Sequence, residues 1–277
     1  MNLVIQGLDV KTPDLKTLAR LTQANGIEQV RPNVFRLVHS TPHPDVPRLC
    51  EGAQLDYGYV PEGQRLDQLG LVVMDMDSTL ITIECIDEIA DMLGIKPQVA
   101  AITASAMRGE MEFAESLTRR VALLAGLEEI ALQRVYDERL KLSPGAERLL
   151  AVLKAHGIKT LLVSGGFTFF TQRLKTRLGL DYAVANTVEI VDGKLTGKVL
   201  GKIIDAQGKA DWLNRVRTEL ELGREQVLAI GDGANDLKML AEAGISVAYH
   251  AKPVVREKTS YAINYVGLDG VLEFFEY

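Results

Sequence analysis

The chain has 277 residues, of which 47% are hydrophobic and 25% charged, and its formal net charge is −6. This balance is typical of a globular protein with one large domain or two smaller ones, whose core needs neither disulfides nor metal. The Lys and Arg residues are spread along the chain, which argues against nucleic-acid binding, and no apolar run approaches the roughly 18 residues of a membrane span. The N-terminus lacks the pattern of a signal peptide, so we predict a cytoplasmic location.

The first 66 residues predict a small α+β module. Apolar and β-branched runs at residues 3–5 and 34–38 flank a segment with helical spacing, which indicates a β-α-β unit. Residues 39–67 contain many prolines and glycines and show little periodicity. We therefore expect a linker or an irregular layer there, with the module ending near residue 66.

From residue 67 to residue 277 the pattern is that of a doubly wound α/β protein with a parallel sheet. Continuous apolar runs separated by helical segments predict strands that are buried on both faces. These strands are expected at residues 71–74, 158–163 and 227–230, with weaker edge strands at 247–248 and 261–263. Residues 85–140 are largely helical in pattern and predict a cap inserted after the first core strand. Asp192-Gly193 is a strong signal for a two-residue hairpin turn.

Four polar features stand at or near the ends of these strands, where ligands bind in open α/β sheets. In chain order they are Asp75-Met76-Asp77-Ser78-Thr79, Ser164-Gly165-Gly166, Lys209 and Gly231-Asp232-Gly233-Ala234-Asn235-Asp236. Asp75 and Asp77 place two carboxylates two residues apart at a strand end, so one can attack phosphorus while the other carries protons. The serine–glycine turn suits an anion and the acidic loop suits Mg²⁺. Each feature alone also has an ordinary structural interpretation, such as a solvated turn or a surface lysine.

Together and in this order, the four features resemble the haloacid dehalogenase superfamily over roughly residues 68–277. The resemblance implies that Asp75 is the nucleophile and Asp77 the general acid–base. It also implies that Mg²⁺ is held by the Asp75 side chain, the Asp77 backbone carbonyl and the Asp232 side chain. The remaining implied site residues are the phosphoryl-binding Ser164, Gly165 and Lys209, together with Asn235, Asp236 and Thr79, which order the site.

Two cap segments resemble, more narrowly, the phosphoserine phosphatase family. They run from Glu84 to Ala90 and from Met111 to Val121. The resemblance implies that Glu84 binds the substrate ammonium, Arg120 binds its carboxylate and Phe113 closes the pocket. Arg119 is adjacent, but consecutive helical residues point about 100° apart, so one arginine of the pair should face the site. The implied reaction is the hydrolysis of O-phosphoserine to serine and phosphate, the last step of serine biosynthesis.

Several alternatives remain open at this stage. From composition alone, Glu84 and Arg120 would be solvated cap residues or a surface ion pair. The protein could act on another small phosphomonoester, transfer the phosphoryl group to an acceptor other than water, or bind an amino acid without catalysis. The N-terminal module resembles part of an ACT-type regulatory domain. It could bind serine, mediate formation of a homodimer, or do neither.

Overall fold

The computed structural model describes residues 1–277, with the side chain of Met107 outside the description. Its N-terminal module contains β1 (Asn2–Gly7), α1 (Thr12–Leu21), β2 (Gly26–Arg31), β3 (Val34–Val38), α2 (Val46–Gly52) and β4 (Leu55–Val60). The strands form one sheet in the order β2-β3-β1-β4, and each neighbouring pair is antiparallel. This is the ferredoxin-like arrangement, in which a β-α-β unit is split by a third strand.

The prediction that residues 39–67 form a linker or an irregular layer is wrong. They contain α2 and the whole of β4. Pro47 lies in the first turn of α2, where a missing backbone N–H costs no helical hydrogen bond. Strand β4 pairs with β1 from Leu55 to Val60. The strand β2 was also missed, because five of its six residues are exposed and its two large apolar residues, Ile27 and Val30, do not alternate with polar ones.

The rest of the chain forms the α/β core and its cap. The elements are β5 (Leu71–Met74), α3 (Cys85–Met92), α4 (Lys96–Met107), α5 (Phe113–Ala122), α6 (Ile130–Arg134), α7 (Ala146–Ala155), β6 (Lys159–Phe167), α8 (Thr168–Leu178), β7 (Tyr182–Val191), β8 (Lys194–Leu200), α9 (Ala206–Glu219), β9 (Val227–Gly231), α10 (Leu237–Glu242), β10 (Ile245–Tyr249), α11 (Pro253–Arg256) and β11 (Tyr261–Ile263). Helices α3 to α6 form the cap, in the stretch where the sequence predicted it.

The core sheet has the strand order β11-β10-β9-β5-β6-β7-β8, and its neighbours are parallel except for the β7–β8 hairpin. The chain builds β6 and β7 on one side of β5 and then returns to build β9 to β11 on the other. This reversal opens a crevice at the carboxyl ends of β5 and its neighbours. The fold class predicted from the sequence is confirmed.

Burial on both faces explains the continuous apolar strands. In β5, Leu71 and Val73 pack into the cluster on one face of the sheet, whereas Val72 and Met74 pack into the cluster on the other. The prediction that residues 247–248 form an edge strand is wrong, because β10 lies between β9 and β11. The hairpin at Asp192-Gly193 is confirmed, with φ values of 49° and 73° that suit a tight turn between antiparallel strands.

The N-terminal sheet contacts the core through β4 and the last segment of the chain. The buried Asp56 carboxylate accepts hydrogen bonds from the backbone N–H groups of residues 264–266, at 2.6 to 3.0 Å. A side chain at Gly58 would collide with the stacked rings of Tyr261 and Phe274. Within the described residues, no helix is long and apolar enough to cross a membrane.

Candidate active site

The loop after β5 turns sharply and aims its two aspartates differently. Asp75 Oδ1 accepts a hydrogen bond from the Met76 N–H at 2.7 Å. Ser78 has a φ of 55°, a left-handed conformation that non-glycine residues adopt at an energetic cost. The chain then reaches α3, whose first residue, Cys85, donates its N–H to Asp77 Oδ1 at 3.0 Å. The Asp77 carboxylate is therefore fixed to the start of the cap.

Lys209 is buried between two carboxylates. Its Nζ lies 2.7 Å from Asp75 Oδ2 and 2.7 Å from Asp236 Oδ1. The lysine stands in the first turn of α9, which Asp205 caps by accepting the Gly208 N–H at 2.8 Å. Burial acts to lower the pKa of Lys209, but Asp236 and Asp75 outweigh it and raise the pKa above its usual range. The lysine is therefore a fixed positive charge beneath the crevice.

One cation does not neutralise the acids gathered here. Carboxylate oxygens of Asp75, Asp232 and Asp236 lie within 4.8 Å of one another. Burial, and then Asp236, raise the pKa of Asp75 well above its usual value and that of Asp232 to about 6. These shifts indicate a shortage of positive charge. Three carboxylates at one crevice are the oxygen donors that divalent cations such as Mg²⁺ prefer, so the residues fit a divalent metal.

Asp236 also holds the acidic loop in shape. Its Oδ2 accepts hydrogen bonds from the N–H groups of Asp232 and Gly233 at 3.1 and 3.0 Å, while its Oδ1 faces Lys209. Thr79 donates its hydroxyl to Asp232 Oδ1 at 3.1 Å, which links the loops after β5 and β9. Both oxygens of Asp236 are engaged in this way, and both oxygens of Asp75 are engaged by the Met76 N–H and by Lys209. Among the described residues, Asp232 Oδ2 is therefore the freest of these carboxylate oxygens for a metal.

Residues 164–166 lie within β6 and not after it as predicted, and they form an irregular turn where the pairing with β7 shifts register between Val163 and Phe167. This turn brings bare backbone to the crevice. A methyl group at Gly166 would lie 3.0 Å from Asp77 Oδ2, and one at Gly165 would lie 2.9 Å from the Phe113 ring. Ser164 is fully buried, and its Oγ accepts the Gly166 N–H at 2.8 Å. The lack of side chains at Gly165 and Gly166 therefore lets this backbone lie close to Asp77 and to Phe113 of the cap.

Asn186, which was not predicted from the sequence, binds this turn through hydrogen bonds. This buried residue of β7 donates to the Gly165 carbonyl at 2.8 Å and accepts the Ile204 N–H at 2.7 Å. It thereby joins the glycine turn to the segment that leads into α9 and Lys209. The only sequence signal was an isolated polar residue inside a strand pattern, which is too common to single out.

The cap contributes the opposite wall of a small cavity of about 120 Å³. Its described lining residues are Asp75, Asp77, Glu84, Ile86, Asp87, Phe113, Arg120, Gly165, Gly166, Lys209, Asp232 and Asn235. Ser164, Thr79 and Asp236 lie behind this lining. A larger cavity of about 580 Å³ lies between β4 and β11, and none of the described residues that line it belongs to the four polar features. The carboxylates thus place the chemistry in the smaller cavity.

Glu84 and Arg120 both face this cavity. Ser78 donates its hydroxyl to Glu84 Oε1 at 2.6 Å. Burial in the cavity wall, and then the Asp77 carboxylate, raise the pKa of Glu84 to about 7, although the residue as a whole stays exposed to solvent. Arg120 Nε donates to the Ser116 carbonyl at 3.4 Å. Arg119 points outward instead and pairs with Glu115.

An α/β core of this topology, with acidic loops after β5 and β9 and a buried lysine between them, defines a hydrolase of the haloacid dehalogenase type. The family model described as haloacid dehalogenase-like hydrolase matches residues 72–241, and the chain belongs to this family. A model for a domain of unknown function matches residues 3–46. The predicted superfamily and its hydrolase activity are confirmed.

Similar proteins narrow the assignment. A phosphoserine phosphatase of Polaromonas sp. is 52% identical over 214 residues, which cover 76% of this chain and 91% of the relative. A haloacid dehalogenase family hydrolase from Salmonella enterica serovar Typhi has a TM-score of 0.90 at 37% identity, with 99% and 98% of the two chains covered. A probable phosphoserine phosphatase from Vibrio cholerae has a TM-score of 0.87 at 39% identity, with 99% of this chain and 85% of the other covered. Within the superfamily, the chain belongs to the phosphoserine phosphatases.

Proposed function

We propose that the protein hydrolyses O-phosphoserine to serine and phosphate through an aspartyl phosphate on Asp75, with Mg²⁺ as its metal. The observation that supports phosphoserine as the substrate is that Glu84 and Arg120 line the same cavity as Asp75. Phosphoserine has a phosphate, an ammonium and a carboxylate, so its pocket needs an acid and a second cation beyond the phosphate site. Arginine suits the carboxylate because its guanidinium binds two oxygens at once.

The reaction follows from the roles of the chain's own side chains. The Asp75 carboxylate attacks phosphorus, and the bond between phosphorus and the seryl oxygen breaks. Asp77 gives its proton to that departing oxygen, so serine leaves as a neutral alcohol. Burial raises the pKa of Asp77, which favours the protonated form that this step requires. Asp77 then takes a proton from the water that attacks the phosphorus, which releases phosphate and restores Asp75.

The groups around the phosphate stabilise its charge during transfer. The Lys209 ammonium and the Gly165 N–H are donors that this chain offers to phosphoryl oxygens. When bound by Asp75, Asp232 and the Asp77 carbonyl, Mg²⁺ would supply positive charge that reduces the repulsion between the attacking carboxylate and the phosphate. Phe113 packs against Gly165 and restricts the access of water from the cap side.

The test is a comparison of turnover with Mg²⁺ on phosphoserine, phosphothreonine, phosphoethanolamine and 3-phosphoglycerate. We expect kcat/KM to be highest for phosphoserine, since each of the other substrates adds a methyl group or lacks one recognised charge. Equal kcat/KM values on all four substrates would indicate a general phosphatase without selectivity for phosphoserine. Transfer of phosphate to added alcohols in preference to water would favour a phosphotransferase, and binding of an amino acid without turnover would favour a sensor.

The ferredoxin-like topology of the N-terminal module supports its assignment to the ACT type. Serine binding and homodimer formation by this module remain predictions. Light scattering with and without serine, together with turnover at increasing serine concentration, tests both.

A further inference from the structure

Asp87 lines the catalytic cavity but has no role in the mechanism above. It lies in the first turn of α3 and is partly buried. Among the described side chains, none forms a hydrogen bond or an ion pair with it within 4.0 Å. A partly buried carboxylate without a partner costs free energy, so its position in the cavity wall calls for a functional explanation.

The neighbours of Asp87 are the residues that recognise the non-reacting end of the substrate. Glu84 is the residue that precedes α3, three positions before Asp87, so the two carboxylates lie about one helical turn apart. Arg120 reaches the same cavity from α5. Its Nε is directed to the Ser116 carbonyl, and none of the described carboxylates lies within 4.0 Å of its terminal nitrogens. Those nitrogens remain available to a ligand.

Asp87 and Arg120 line the same cavity, and the electrostatics of the two groups support a link between them. Burial lowers the pKa of Arg120, and Asp87 opposes this shift more strongly than Glu84 or Asp77 does. At Glu84, by contrast, Asp77 has a stronger effect on the pKa than Asp87 has. Of the three carboxylates that act on the guanidinium, Asp87 therefore has the strongest effect. A flexible arginine side chain needs such a charge to remain directed into a partly desolvated cavity.

We propose that Asp87 is a positioning residue whose negative charge, acting within the shared cavity and without direct contact, directs the Arg120 guanidinium toward the carboxylate subsite, and that it thereby sets the preference for phosphomonoesters bearing a carboxylate. The proposal rests on the function proposed above for Arg120. Asp87 lines the cavity and contributes to its charge. It acts through the arginine and does not touch the reacting atoms. Its loss therefore raises KM for carboxylate substrates and leaves the chemical step in place.

Four substrates separate this role from direct binding of the ammonium. Phosphoserine has both groups, 3-phosphoglycerate has the carboxylate without the ammonium, phosphoethanolamine has the ammonium without the carboxylate, and an aryl phosphate has neither. For Asp87→Asn, kcat/KM should fall about three- to tenfold on the two carboxylate substrates, phosphoserine and 3-phosphoglycerate. This is the usual effect of losing one charge interaction between partly exposed groups. The value of kcat/KM should change much less on phosphoethanolamine and on the aryl phosphate. Asp87→Glu should recover part of the loss because it restores the charge.

A double-mutant cycle completes the test. In an Arg120→Ala background, Asp87→Asn should have no further effect on phosphoserine, since the residue through which it acts is gone. Asp91→Asn, a change on the outer side of the same helix, is the matched control and should leave all four substrates unaffected. Thermal unfolding of each variant shows that the fold is kept.

Each outcome bears on a different claim. A loss of kcat/KM on phosphoethanolamine as large as that on phosphoserine, or a loss that persists in Arg120→Ala, would overturn the positioning role. If Arg120→Ala is selective for carboxylate substrates but Asp87→Asn has no effect, the inference about Asp87 fails alone. If Arg120→Ala slows all four substrates equally, the proposed substrate fails with it.

Discussion

Lys209 and Asp75 form an ion pair that is almost completely withdrawn from water, with 2.7 Å between Nζ and Oδ2 and side-chain exposures of 2% and 6%. Asp236 contacts the same ammonium from its other side. Removing a partner from a buried pair leaves uncompensated charge in the protein. The pair therefore ties the stability of the crevice to its chemistry.

Lys209→Met should abolish turnover and lower the free energy of unfolding by roughly 3–5 kcal/mol, the usual cost of breaking a buried ion pair. Urea unfolding in the presence of chelator measures this loss without compensation by a metal. Lys238→Met, at an exposed lysine of α10, is the control and should change stability by less than about 0.5 kcal/mol. Equal stability of the two variants would show that the buried ammonium does not support the fold.

Asp75→Asn should eliminate turnover, because an amide does not attack phosphorus, while circular dichroism should show an intact fold. Asp77→Asn should slow turnover by about 10²- to 10⁴-fold, the usual contribution of a general acid–base. Mass spectrometry of quenched enzyme should find a phosphorylated peptide containing Asp75 in the wild type and not in Asp75→Asn. Near-normal turnover of Asp75→Asn would exclude the covalent mechanism.

Chelation should remove activity, and added Mg²⁺ should restore it. Ca²⁺ should support turnover poorly, because it accepts more oxygen ligands in looser geometry and could engage both oxygens of Asp75. Calorimetry provides a readout that is independent of activity: Asp232→Asn should bind Mg²⁺ more weakly than the wild type does. Full activity after thorough chelation would contradict the assignment of a metal.

Arg120→Ala should reduce kcat/KM for phosphoserine by about ten- to a hundredfold, the value of a charge-assisted hydrogen bond, and should affect an aryl phosphate far less. Arg120→Lys should recover only part of the loss, because an ammonium lacks the bidentate geometry. The neighbouring arginine supplies the control. Arg119→Ala should have little effect, since Arg119 is 58% exposed and pairs with Glu115.

The preference for phosphoserine over an aryl phosphate should depend on pH through Glu84. The pKa of this carboxyl is raised to about 7, so its protonated form is the more populated one below that pH. Only the ionised form attracts the substrate ammonium. The ratio of kcat/KM for phosphoserine to that for the aryl phosphate should therefore fall as the pH drops through about 7. In Glu84→Gln the ratio should be low and nearly independent of pH; an unchanged pH profile would remove Glu84 from substrate binding.

Local patterns in the sequence determined much of this protein. The apolar runs of β5 and β9 predicted strands buried on both faces, because a strand in a sheet covered on both sides has apolar side chains at every position. Polar clusters at the ends of those strands indicated the crevice. Asp192-Gly193 indicated the hairpin between β7 and β8, because both turn positions need a left-handed backbone. The N-terminal module was predicted less well. Proline and glycine obscured α2 and β4. Strand β4 is stabilised by its pairing with β1 and not by local propensity.

Only the tertiary structure decided which distant side chains meet. Lys209 lies between Asp75 and Asp236 because the strand order places β5 beside β9, and no local periodicity encodes that order. For the same reason the sequence did not reveal that Asn186 joins two loops of the site or that Asp87 shares a cavity with Arg120. Side-chain spacing along the chain predicts which face of an element is buried, whereas the partners across that face depend on how the elements are arranged in space.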